Sequence, residues 1–180
     1  MEKELQAIKT KNGSLELYEA YIYSVKLLTQ GDPASYAVLQ QIAAKLDTLN
    51  INPTTSDFES RYPLGKAQIG SIYYNLALAN FRYNPDWHTA YGSNQKALSF
   101  YSPLESTPLY IQHMMFLLAD NNQKEAERIL STIDTVHYFN ANATFKDAKM
   151  LLEEFCRKQQ TPQECSLRIQ QFWSVHQLPR

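Results

Sequence analysis

The chain has 180 residues, 44% of them hydrophobic and 19% charged, and its 17 basic and 18 acidic side chains leave a net charge of -1. This balance belongs to a folded globular chain long enough for one sizeable core, and it excludes intrinsic disorder. No Lys/Arg cluster follows a helix face, so nucleic acid has no electrostatic footprint here, and five glycines are too few for phosphate-cradling loops or a turn-rich β fold.

Taken in order, residues 1–13 are expected to form a charged lead-in or the end of an incoming helix, closed by Asn12-Gly13. Ser14 caps a helix carrying Tyr18, Tyr21, Ile22, Val25 and Leu28, which Gln30-Gly31 ends. Asp32-Pro33 restarts the chain. The next helix shows Tyr36, Leu39, Ala43 and Leu46 on one stripe, with Val38, Ile42 and Leu49 beside it. Residues 1–49 thus make a first helical hairpin. Residues 50–63, with two prolines and no periodicity, form a connecting loop over the surface.

Three further hairpins are expected over 64–180. A long helix from Leu64 to about Tyr83 holds Ile69, Ile72, Leu76, Ala79 and Tyr83 in register, and Asn84-Pro85 breaks it because the residue before a proline leaves the helical region. A partner helix from Asp86 to Phe100 presents Trp87, Tyr91, Ala97 and Phe100. Thr107-Pro108 then starts a helix apolar around most of its circumference, at Tyr110, Ile111, Met114, Met115, Leu117 and Leu118, which must be covered on more than one side. Asn122 with Glu125 starts a helix with Ala126, Ile129, Leu130 and Ile133 on one face. A helix with Phe145, Ala148, Leu151, Leu152 and Phe155 follows. Thr161-Pro162-Gln163-Glu164 opens the last, which carries Leu167, Ile169, Phe172 and Trp173. The expected fold is all-α, a single tetratricopeptide-like stack of antiparallel hairpins with about eight helices in four pairs.

The chemistry-bearing residues are scattered. His88, His113, His137 and His176 show no ligand spacing, and no C-x-x-C, nucleophile elbow, P-loop or dinucleotide fingerprint occurs. No catalytic residue, metal site or cofactor is therefore assigned. The aromatic set Tyr73, Tyr83, Trp87 and Tyr91 is the candidate binding groove for a protein or peptide partner; the alternative is that these rings fill the space between helices. Cys156 and Cys165 flank the final turn and are expected to form a disulfide, which would add roughly 2.5–3 kcal/mol by closing a short loop and would point to an oxidising compartment; the alternative is two free, half-buried thiols of a cytosolic protein. No apolar run reaches the length of a membrane span and the N-terminus lacks a signal peptide's apolar core, so the chain is expected to be soluble, with any membrane segment upstream of Met1.

One stretch, residues 96–140, carries a resemblance. It holds an Ala-Leu…Tyr-Ser-Pro entry (Ala97, Leu98, Tyr101, Ser102, Pro103), the apolar helix Tyr110–Leu118, the turn Asp120–Ala126 and the aromatic exit Tyr138-Phe139. In these it resembles the tetratricopeptide-like C-terminal region of membrane-bound bacterial O-oligosaccharyltransferases, the pilin glycosylases related to O-antigen ligases and polymerases. Members of that family usually have a glycine where Asn121-Asn122 stands and a proline where Asn140 stands. The resemblance implies a non-catalytic periplasmic domain at the inner membrane that supports binding of a pilin-like acceptor. A lipid-linked glycan would then be handled by the parent enzyme, whose catalytic groups lie outside this chain. The rival reading is a stand-alone tetratricopeptide-like adaptor, cytoplasmic or secreted, that grips a partner peptide.

Overall fold

A computed structural model describes residues 13–84, 87–101, 107–120, 122–134 and 150. Apart from Met150, the expected helices around Phe145–Phe155 and Leu167–Trp173, the aromatic exit at Tyr138-Phe139, and Cys156 and Cys165 lie outside the described residues. The chain divides into two compact units, Met1–Phe100 and Tyr101–Arg180. The described residues are all-helical, with no strand.

In the first unit, helix α1 spans Gly13–Thr29, α2 Ala34–Asp47, the single turn α3 Phe58–Arg61, α4 Lys66–Tyr83 and α5 Trp87–Leu98. Local chemistry sets their ends. Gly31 takes φ +73°, the left-handed conformation that lets its N–H reach the Leu28 carbonyl (3.1 Å) while the Asp32 N–H reaches that of Leu27 (2.9 Å), closing α1 in a Schellman motif. The Asp32 carboxylate accepts the Ala34 N–H at 2.9 Å, and Pro33 is already helical at φ -62°, which together start α2. At α4, the Gln68 side chain accepts the Gly65 N–H at 2.8 Å. Asn84, ahead of Pro85, is extended at φ -122° and ψ 129°, and the helix stops there as expected.

Contacts between helix ends fix the directions. Asn84 just beyond α4 donates to the Tyr36 hydroxyl early in α2 (3.2 Å), whereas Tyr73 in the first half of α4 donates to Asp47 at the end of α2 (2.6 Å). These two helices are antiparallel. Tyr73 also lies 6.1 Å from the Phe100 ring just past α5, which makes α4 and α5 antiparallel as well. The Arg82 guanidinium donates to the Leu28 carbonyl at 3.3 Å, so α1 and α4 end side by side and run the same way. Successive long helices therefore alternate in direction, and α4 packs against α2 and α5 at once. That position explains why Ile69, Ile72, Tyr73, Leu76, Ala77, Leu78, Ala79 and Phe81 are all buried.

Two expectations need correction. On α1 the buried face is Leu17, Ala20, Ser24, Leu27 and Leu28, while Tyr18 (41% exposed) and Ile22 (49%) point outward. The helix has two apolar stripes, and the one holding Ala20 and Ser24 is buried because small side chains let a neighbouring helix approach closely. Residues 50–63 are also more than a surface crossover. Phe58 is buried, and its ring lies 4.7 Å from that of Tyr62 and 6.2 Å from that of Phe100. Tyr62 accepts the Asn52 N–H at 3.0 Å, and the Asn52 side chain accepts the Thr54 N–H at 3.0 Å. This aromatic anchor pins the connection against the ends of the helices.

In the second unit, α6 spans Thr107–Ala119 and α7 Gln123–Asp134. The Asn122 N–H bonds the Leu117 carbonyl at 2.8 Å to close α6, and Ala126 on α7 is fully buried. On α6 the residues Leu109, Ile111, Gln112 and Met114 to Leu118 are all buried, so it is covered on more than one side. The half-buried His113 ring sits near Glu125 and Arg128 of α7, which pair through a bidentate contact (2.9 and 2.8 Å from Nε). Burial holds the His113 pKa down to about 4 from its ordinary 6.5; the Glu125 charge opposes this and the Arg128 charge adds to it.

The unfolded chain thus binds a proton at His113 that the folded chain refuses. The stability this group contributes is complete above about pH 6.5 and lost as pH falls toward 4. Denaturant melts at about pH 7 and about pH 4 should show wild type losing about 1–2 kcal/mol more than His113→Leu, after discounting for solvent screening of the partly exposed ring. Equal losses would contradict the assignment.

Candidate binding cleft

The end of α2, the first half of α4, the end of α5 and residues 50–53 enclose a cleft of about 460 Å³. Its size is that of a ligand or peptide-anchor pocket. The floor is apolar, made by Leu46, Phe100 and the ring of Tyr73, with Ile51 and Pro53 on the wall. At the mouth stand Asp47 and Lys96, with Asn50 and Ser99 on the rim. Asn50, at φ +46°, turns the chain sharply off α2 and so directs Ile51 and Pro53 to the cleft.

Three side chains that are far apart in sequence converge here. The Lys96 ammonium donates to both Asp47 oxygens, at 2.8 and 2.7 Å, and sits 5.3 Å over the Tyr73 ring centroid. The Tyr73 hydroxyl donates to Asp47 at 2.6 Å. Burial pushes the Tyr73 pKa well above the usual tyrosine value, and the hydrogen bond to Asp47 and that carboxylate's charge push the same way. Tyr73 is therefore a fixed hydroxyl donor at physiological pH. Asp47 and Lys96 are about half exposed (47% and 51%), so their ion pair adds only about 0–1 kcal/mol to stability; it holds the mouth in shape more than it holds the fold together. The wall has a further property: among the described residues the main-chain N–H and C=O of Ile51 have no hydrogen-bond partner.

Of the aromatic residues singled out in the sequence, Tyr73 lies in this cleft, 4% exposed. Tyr83 is ten positions further along α4, about 15 Å at the helical rise, so the two do not share one pocket. It is half-buried, its buried hydroxyl has no hydrogen-bond partner among the described residues, and the Arg82 guanidinium lies 6.0 Å from its ring. Trp87 is the first residue of α5, and Tyr91, one turn on, is half-buried. Asp47 and Lys96 were not marked in the sequence, because a lone acid and a lone base on helices 49 residues apart look like solvated faces. The signal that could have found them is register: antiparallel pairing of α2 with α4 and of α4 with α5 puts positions 47, 73 and 96 at the same level.

Among the described residues no group of three His, Cys, Asp or Glu could hold a metal ion, and no helix is long and apolar enough to cross a membrane. No family model, curated protein or solved structure matches the chain.

Proposed function

We propose that the chain is a non-catalytic interaction domain, a tetratricopeptide-like stack of about eight helices in hairpins, which holds a segment of a partner protein in the cleft at Asp47, Tyr73 and Lys96. The observation that carries this reading is the cleft itself. It combines an apolar floor, a polar mouth fixed by hydrogen bonds, and a wall whose Ile51 main chain has no hydrogen-bond partner among the described residues. The resemblance of residues 96–140 supports a wider setting, the periplasmic part of a membrane O-oligosaccharyltransferase at the bacterial inner membrane. The partner would then be a pilin-like acceptor polypeptide, with the lipid-linked glycan bound by the parent enzyme. A stand-alone adaptor would use the same cleft.

The test is a selection from a random displayed-peptide library on the immobilised chain, counter-selected on Ser99→Trp. Ser99 is exposed on the rim, so tryptophan there should fill the cleft without disturbing the core. Sequences enriched on wild type and lost on the variant are the expected result. A selection that does not distinguish the two proteins would overturn the reading.

A further inference from the structure

Resting on the cleft as the binding site, we infer that its occupant is an uncharged, extended stretch of polypeptide anchored by one bulky apolar side chain. The first reason is charge. Asp47 already receives hydrogen bonds from Tyr73 and Lys96, and the Lys96 ammonium is held by both Asp47 oxygens and the face of the Tyr73 ring. The mouth is a closed, neutral pair. An incoming carboxylate that approaches Lys96 meets Asp47 within the same few ångströms, and an incoming ammonium that approaches Asp47 meets Lys96. Either must displace a partner that is already well placed, and a charge brought out of water without a compensating partner is penalised.

The second reason is shape. Lys96 covers the Tyr73 ring, so the surface left for a ligand is Leu46, Phe100, Ile51 and Pro53, which suits a single leucine- or phenylalanine-sized group. The third is the backbone. Ile51 offers one donor and one acceptor with no partner among the described residues, which an extended peptide's main chain can pair with as it does along a strand edge, and an apolar side chain then supplies the selectivity.

A titration of the isotope-labelled chain, followed by amide NMR shifts, tests this with three capped tripeptides: acetyl-Ala-Leu-Ala-amide, acetyl-Ala-Asp-Ala-amide and acetyl-Ala-Lys-Ala-amide. The leucine peptide should move the Ile51, Lys96 and Ser99 amides and bind about 10-fold or more tighter than either charged one, with less than about a twofold change between low and high salt. A charged peptide that matches or exceeds it at these amides would overturn the neutral occupant and leave the cleft as the binding site. No shift there from any of the three would also overturn the inference. Whether the cleft reading falls with it is then decided by the Ser99→Trp counter-selection.

Discussion

Phe116→Ala should destabilise the protein by about 3–5 kcal/mol, the largest effect expected of a single truncation here. Phe116 is 1% exposed in the middle of α6, with Met114, Met115 and Leu117 buried beside it. Removing the ring loses its transfer free energy and opens a void among side chains that have little freedom to close it. Urea unfolding at unchanged m would show the loss as a lower midpoint. A cost under about 1 kcal/mol would mean that Phe116 is not enclosed.

Leu39→Ala comes next, at about 2–5 kcal/mol. Leu39 is fully buried on α2, the helix that packs against both α1 and α4. Ile22→Ala is the matched control. That side chain is 49% exposed, and its truncation should cost within about 0.5 kcal/mol. Similar losses at the two positions would contradict the face assigned to α1.

The helices were legible because their ends carry strong local chemistry. Asp32-Pro33, Gly31 and Asn84-Pro85 each act within a few residues, and the structure uses all three. The buried stripes of α2 and α4 were legible too, since each presents apolar residues in helical register and lies against more than one neighbour, and α6 was legible from apolar residues around most of its circumference. α1 misled because both of its sides are apolar. Which side is buried depends on how closely another helix can approach, and Ala20 and Ser24 settle that only once the partner is in place. The connection at 50–63 misled for a related reason: Phe58 has no periodicity to announce it, and it finds its partners in Tyr62 and Phe100 through the tertiary fold.

The cleft was half legible. Tyr73 stood out as an aromatic in a candidate groove. Its partners Asp47 and Lys96 are 26 and 23 positions away and meet only because α2, α4 and α5 alternate in direction. Local pattern carries no trace of such a meeting. The register between neighbouring helices does, but it must be inferred from the fold.

The surface that competes with the cleft is the exposed apolar stripe of Tyr18 and Ile22 on α1. One measurement separates them: photo-cross-linking of a selected peptide from a benzophenone side chain placed at position 51 in one protein and at position 22 in another. The account predicts a cross-linked product from position 51 that Ser99→Trp abolishes, and none from position 22. Cross-linking from position 22 and not from 51 would contradict it.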